Sequence, residues 1–164
     1  MSATSPQSTR PSSVRRIDVR GPRVTAGVTA VVLLVVVALG LLGLTQAATI
    51  LLGVQAAVFV IAAIVGAARH PYGFVFKLIR RRLAPASEWE DSAPPTFSQG
   101  VGFVVVALGL VLQLIGVPYA VVVAAAAAFI VAFVNSVFGF CVGCQIYLLL
   151  ARLGLIRRTP ETSS

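Results

Sequence analysis

The hydrophobic positions of this chain fall into two long uncharged stretches separated by a polar segment. No charged residue occurs from Val24 to Ala68 or from Ser92 to Ala151. The hydrocarbon core of a bilayer is about 30 Å thick and is crossed by about 20 helical residues, so each stretch has room for two spans. The pattern therefore predicts an all-α integral membrane protein with four transmembrane helices arranged in two hairpins.

Polar residues inside each stretch indicate where its two helices separate. Thr45 and Gln46 form a polar pair in the first stretch, and Pro118 marks a turn in the second. The predicted spans are 24–44, 48–68, 97–117 and 119–140, within a transmembrane domain of residues 24–153. They leave a disordered basic N-tail over 1–23, a cytoplasmic segment over 69–96 and a C-tail over 154–164.

The segment between the two stretches contains a short amphipathic pattern. At about 100° per residue, one arc of a helix carries basic side chains and the other carries apolar ones. The basic residues are Lys77, Arg80 and Arg81, with Arg82 off the arc, and the apolar residues are Phe74, Val75, Phe76, Leu78 and Ile79. The pattern predicts a short interfacial helix whose four basic residues dock anionic headgroups or an acidic partner.

Composition and charge agree with a membrane location. The chain is 58% hydrophobic and only 11% charged. A net charge of +8 is also typical of nucleic-acid binding, but all thirteen basic residues lie outside the apolar runs. The N-tail and the middle segment hold five each and the C-tail holds three, so the positive-inside rule places these three segments in the cytoplasm. We therefore expect a lipid bilayer and no nucleic acid as partner, in the inner membrane with both termini inside.

The only two cysteines, Cys141 and Cys144, lie in the sequence FGFCVGC near the predicted cytoplasmic end of the fourth span. Gly139 and Gly143 weaken a helix there, so a break is expected. Helical residues at i and i+3 have Cβ atoms about 5–6 Å apart, whereas a disulfide needs about 3.8 Å, so pairing requires local distortion. Because cytosolic disulfides are seldom structural, the CxxC favours a cytoplasm-facing dithiol that exchanges electrons or sulfane sulfur with a soluble partner. One cysteine attacks and the other resolves.

Other interpretations stay open. GFCVG is a GxxxG pattern, and small residues at that spacing pack helices together, as in a non-catalytic membrane scaffold. A passive carrier of a small solute is a third class, because the spans lack the ionisable groups that coupled transport needs. One His and two Cys cannot complete a tetrahedral metal site, so neither a metal nor another cofactor is expected.

The polar residues near the thiols supply few candidates for activating them. Nothing basic lies within one helical turn of either sulfur along the sequence, so an activating charge has to come from the middle segment, a helix N-terminus or a partner. His70, at the end of the second span, is a candidate proton donor, although a lone interfacial histidine is more often a solvated anchor. Asn135 and Gln55 lie inside spans, where amides usually hydrogen bond across helices.

Four blocks of the sequence together resemble a known family. The blocks are IDVRGPR at 17–23, HPYG at 70–73, EWEDSAPPTFSQGVG at 88–102 and FGFCVGCQIYLLL at 138–150. In this order they resemble the bacterial membrane proteins catalogued as domain of unknown function 4395. The resemblance implies four spans with the paired cysteines as the most distinctive feature. The ending CxxCxxYxLL is also similar to membrane segments attached to some rhodanese-type sulfurtransferases, which implies a thioredoxin-like or sulfurtransferase partner.

Overall fold

The computed structural model describes residues 16–80 and 89–155 of the chain. Four of its helices are long and apolar enough to cross a membrane. They are α1 (Arg20–Leu41), α2 (Thr45–Val65), α4 (Ala93–Leu114) and α5 (Ala120–Phe138). The shorter elements are a 3₁₀ turn (Ala67–Arg69), α3 (Gly73–Arg80), α6 (Val142–Arg152) and two strands, β1 (Arg16–Asp18) and β2 (Trp89–Asp91). The predicted all-α membrane architecture is confirmed.

α1 begins before Arg23, the last charged residue ahead of the first uncharged stretch, whereas α4 begins within the second stretch. α1 starts at Arg20, whose backbone N–H donates to Asp18 Oδ1 over 3.0 Å. α4 starts at Ala93, with two prolines in its first turn. A helix leaves its first N–H groups without intrahelical partners, so proline costs nothing there. As a result Arg20 and Arg23 are helical residues at the start of α1, rather than part of a tail.

The two hairpins, α1–α2 and α4–α5, pack side by side as a four-helix bundle. α1 lies along α5 and α2 lies along α4, so every spanning helix contacts at least two others. The core is mainly apolar, with Leu33, Val36, Leu52, Val106 and Ala125 completely buried, and Gln55 is a completely buried polar residue. Many large apolar side chains on the outside are exposed, as a lipid-facing surface requires.

Glycines set the closest helix contacts. A Cβ atom at Gly109 would overlap the side chain of Ala124, so α4 and α5 touch almost backbone to backbone. On α1, a Cβ at Gly27 would lie 2.9 Å from the Ser136 hydroxyl of α5. Lipid tails give no hydrophobic drive for helices to associate, so close van der Waals contact between small residues stabilises such bundles.

One end of the bundle, here called the charged end, gathers the remaining elements. The starts of α1 and α4 and the ends of α2 and α5 meet there, and β1 pairs with β2 in antiparallel register, Ile17 opposite Glu90. α3 follows directly after α2 and packs on α1. The connections at the opposite end, residues 42–44 and 115–119, carry no charged residue. All charges of the described segments therefore belong to the same end.

The short helix α3 is the predicted interfacial amphipathic helix. Val75 and Phe76 are half-buried, and the Phe76 ring lies against Gly21 of α1, 3.7 Å from where a Cβ there would be. Phe74, Lys77 and Leu78 are exposed on its outer side. A surface that mixes apolar and basic side chains suits the headgroup layer of a membrane.

Candidate functional site

The cysteine pair lies at the break between α5 and α6. α5 ends at Phe138, and Gly139 continues the chain in the left-handed region with φ 68°. Cys141 is extended, with φ −87° and ψ 101°, and α6 starts at the next residue. This distortion brings the two Cα atoms to 5.1 Å, and Cys141 and Cys144 form a disulfide. The glycine-weakened FGFCVGC stretch thus provides the bend that the pairing requires.

Cys141 occupies the N-cap position of α6. The backbone N–H of Cys144 donates to Cys141 Sγ over 3.3 Å. When the disulfide is open, this N–H group and the positive end of the helix dipole both favour the thiolate form of Cys141. The fold therefore supplies one of the activating influences that the sequence lacks near the thiols, and it supplies it to Cys141.

Gly143, which lies between the two cysteines, allows α6 to pack closely on α4. Gly143 is buried, and a Cβ atom there would lie 2.7 Å from the Cα, Cβ and Oγ atoms of Ser98. One turn further along, the rings of Tyr147 and Phe97 are 5.6 Å apart. The packing that a GxxxG pattern predicts is thus made by glycine, while both cysteines remain only half-buried.

A polar recess of about 170 Å³ lies beside the disulfide at the charged end. Its wall is formed by the first turns of α1 and α4, the end of α5 and the start of α6. The lining residues are Val19, Pro22, Arg23, Pro95, Ser98, Gln99, Asn135, Gly139, Cys141 and Cys144. The guanidinium of Arg23 lies directly over Gly139, where any Cβ atom would overlap it. A cation from α1 thus lines the same recess as both sulfur atoms.

An apolar cavity of about 160 Å³ lies on the other side of Cys141, between the four spanning helices α1, α2, α4 and α5. Phe59, Val105, Ala128 and Val131 are among its apolar walls. Four residues line both this cavity and the polar recess, namely Ser98, Gln99, Asn135 and Cys141. Cys141 therefore lies between a polar surface site and an apolar space within the bundle.

His70 is buried, with 5% of its surface exposed, and is not a solvated anchor. Its Nδ1 accepts from the Tyr72 backbone N–H over 3.1 Å, so the neutral ring carries its proton on Nε2. Nε2 lies 3.3 Å from Gln99 Oε1 and donates to it. Gln99 thus accepts from His70 through its oxygen, and its amide nitrogen can donate a hydrogen bond to another group. His70 itself is not among the described residues that line the recess, whereas its hydrogen-bond partner Gln99 is.

Burial lowers the pKa of His70, opposed by the weaker effect of the Gln99 hydrogen bond. Below about pH 6.5 the His70 ring is protonated in the unfolded chain but still neutral in the folded chain. The free energy of unfolding should therefore fall as pH falls through that value. The loss is about 1.4 kcal/mol per unit of pKa depression. We expect thermal melting in detergent from pH 8 to 5 to show this slope, and His70→Gln to flatten it.

The control for that experiment is built into the sequence, because His70 is the only histidine. Any acid-dependent loss between pH 7 and 5.5 that His70→Gln leaves unchanged must come from carboxylates. An identical pH slope in both proteins would show that the neutral ring is not required for stability.

The basic residues predicted to dock a partner or headgroups are only partly described. Lys77 is exposed on α3, and Arg80 is the last residue of that helix. Arg81 and Arg82 lie outside the described residues, as do most of the predicted N-tail and C-tail. A docking role for these four residues therefore stays a prediction. Within 16–80 and 89–155, no group of three or more His, Cys, Asp or Glu side chains could hold a metal ion.

Reasoning from the sequence missed Arg23, Ser98 and Gln99 as residues of the site. These three residues could have been found from the four sequence blocks that resemble the family, because each block contributes residues to the charged end. Arg23 belongs to IDVRGPR, and Ser98 and Gln99 belong to the block that ends FSQGVG. HPYG adds His70, which holds Gln99, and the last block adds the cysteines.

The fold and the site together define a class: a helical membrane protein with four spans that holds a cysteine pair at the charged end of its bundle. The family model described as a domain of unknown function (DUF4395) matches residues 17–152, and the chain belongs to this family. No curated protein and no solved structure matches the chain.

Proposed function

We propose that the protein is a thiol-redox component of the inner membrane, whose Cys141–Cys144 pair exchanges a disulfide with a soluble partner on the cytoplasmic side. The observation that carries the proposal is the position of Cys141. It caps a helix N-terminus, accepts a hydrogen bond from Cys144 N–H and lines a recess that also contains Arg23. Redox-active cysteines are typically found in such partly exposed, electropositive surroundings.

The exchange proceeds through a mixed disulfide at Cys141. A thiolate of the reduced partner attacks Cys141 Sγ, the bond between the two cysteines breaks, and Cys144 leaves as a thiolate that takes up a proton. The second partner thiolate then attacks the partner sulfur of the mixed disulfide and displaces Cys141. The partner is oxidised to a disulfide, the pair is reduced to two thiols, and two electrons have moved.

The distribution of charge along the sequence supports the cytoplasmic side. All basic residues fall in the N-tail, the middle segment and the C-tail, and the tips of both hairpins carry none. The positive-inside rule favours the charged end in the cytoplasm, with both termini inside. A thioredoxin-like protein is the partner class that such a pair suits.

Sulfur transfer is a second candidate, favoured by Arg23 in the recess. In that reaction the Cys141 thiolate attacks the outer sulfur of a donor persulfide and becomes a persulfide itself. The donor's own cysteine sulfur leaves as a thiolate. Cys144 then attacks Cys141 Sγ, closes the disulfide and releases hydrosulfide. A guanidinium beside the pair would attract anionic sulfur donors such as a sulfurtransferase persulfide.

Two measurements test the proposal. Purified protein equilibrated in glutathione redox buffers should interconvert between disulfide and dithiol, as read by maleimide mass shifts. In reduced cells, a membrane-impermeant maleimide should label the cysteines only after the membrane is broken. A cysteine pair that stays unreactive in every buffer would favour the scaffold interpretation. So would a Cys141→Ser/Cys144→Ser variant that replaces the wild-type protein in cells without any loss of function. Labelling from outside would refute the cytoplasmic side.

A further inference from the structure

We propose that the apolar cavity beneath Cys141 is the binding site of a membrane-soluble quinone, which reoxidises the reduced cysteine pair. The inference rests on the proposed exchange function, because it supplies that reaction with its electron acceptor. It assigns the chemical class of a second substrate and explains why a thiol pair is held against a cavity inside a membrane bundle.

The cavity is built for an apolar ligand that arrives from lipid. Its walls come from all four membrane-spanning helices, α1, α2, α4 and α5, and from the start of α6. Most of the wall is apolar, and the cavity is not fully enclosed. A water-soluble oxidant would gain nothing from such walls, whereas a lipid-dissolved molecule loses no hydration on entering.

The volume fits one substituted ring. The cavity measures about 160 Å³, and an apolar cavity of about 150 Å³ in another protein binds benzene. The head of a benzoquinone such as ubiquinone is one six-membered ring with small substituents, and its isoprenoid tail would extend out of the cavity. The cavity does not suit a bulkier redox group such as a flavin, which has three fused rings.

Three polar side chains lie where the cavity borders the polar recess. Gln99, Asn135 and Ser98 line both spaces together with Cys141, and Thr29 of α1 is the fourth polar residue of the cavity wall. Because His70 Nε2–H occupies Gln99 Oε1, the amide nitrogen is the atom of Gln99 that is free to donate. Carbonyl oxygens of a quinone accept hydrogen bonds from such donors, which would hold the ring at the sulfur end.

The reaction balances without further reactants. Cys141 and Cys144 each lose one proton and one electron, two S–H bonds break, and one S–S bond forms. The quinone takes up two electrons and two protons and becomes a quinol. Combined with the partner exchange, electrons pass from a soluble dithiol through the cysteine pair to the membrane quinone pool.

The test uses the full chain in lipid nanodiscs, reduced and freed of reductant, with decylubiquinone as the probe. This quinone is fully substituted on its ring, so it cannot alkylate thiols. Quinol formation is followed by absorbance and thiol loss by maleimide mass shift. Ala128→Phe fills the cavity, and Val123→Phe, on the exposed outer face of α5, is its matched control.

We expect the wild-type protein and Val123→Phe to reduce decylubiquinone at similar rates. Ala128→Phe should be slower by about tenfold or more, because a displaced ring no longer reaches the sulfur. The double Cys→Ser variant should be inactive. If Ala128→Phe fails to fold, Val105→Trp on the α4 wall replaces it.

The glutathione exchange rate of every variant separates the two proposals. Wild-type protein that exchanges with glutathione but reduces the quinone no faster than the cavity-filling variant would overturn the quinone site and leave the exchange function standing. Protein that reacts with neither would overturn both.

Discussion

Replacing Cys144 by serine should turn a transient exchange into a stable covalent complex, whereas replacing Cys141 should abolish capture. In the reverse direction of the exchange, Cys141 of the Cys144→Ser variant attacks a partner disulfide and forms a mixed disulfide. This chain then has no second thiol to resolve it, and alkylating the freed partner thiol keeps that thiol from displacing Cys141. Cys141 is the better nucleophile because it caps α6 and accepts the Cys144 backbone N–H over 3.3 Å, an interaction that serine at 144 preserves. The measurement is affinity purification from cytosolic extract followed by non-reducing electrophoresis.

The same asymmetry should be visible without a partner. At pH 7, Cys141 in the Cys144→Ser variant should react with iodoacetamide at least about tenfold faster than Cys144 in the Cys141→Ser variant, because the thiolate is the reactive form. Arg23→Gln should reduce this difference, since the guanidinium lines the same recess. Equal alkylation rates, or mixed disulfides trapped by Cys144 rather than Cys141, would contradict the assignment of the attacking thiol.

Leucine at position 109 should prevent the bundle from closing. A Cβ atom at this site would overlap the Cβ of Ala124 on α5 and would lie 3.3 Å from the Ala120 carbonyl oxygen. Neither an alanine Cβ nor a backbone carbonyl can move aside as the end of a flexible side chain would, so the free energy of unfolding should fall by about 3 kcal/mol or more. Thermal melting in detergent, monitored by circular dichroism and size-exclusion chromatography, measures the loss.

Gly53→Leu is the matched control. Gly53 is also a glycine within a spanning helix, α2, but a Cβ atom there meets nothing within 4 Å. This variant should melt close to the wild type and gain slightly from the better helix propensity of leucine. Equal melting temperatures for Gly109→Leu and Gly53→Leu would mean that α4 and α5 are less closely packed than described. The wall that these two helices form in the apolar cavity would then be less closely packed as well.

The membrane bundle could be predicted from the sequence because its cause is local. An uncharged run of more than 40 residues, from Val24 to Ala68, has only one stable environment. In that environment only helices satisfy every backbone hydrogen bond within one segment. The amphipathic pattern that begins at Phe74 is equally local, and α3 forms over Gly73–Arg80.

The candidate site could be predicted only in part. Cys141 and Cys144 are adjacent enough in sequence for their pairing to be anticipated, together with the bend that it needs. His70 was a candidate too, but its burial and its contact with Gln99, 29 residues away, depend on how α2 packs against α4. A local sequence pattern cannot predict a contact between two residues that are so far apart in the chain.

What the sequence determined by itself is therefore the class of protein, the spans, the charged end and the position of the thiols in the chain. What only the tertiary structure decided is the surroundings of the sulfur atoms: Arg23 over Gly139, Ser98 against Gly143, and a cavity bounded by all four spanning helices. The physical reason is that hydrophobicity and backbone hydrogen bonding act along the chain, residue by residue. Side-chain chemistry at a site arises between segments far apart in sequence, and it is fixed only when small residues let the helices meet.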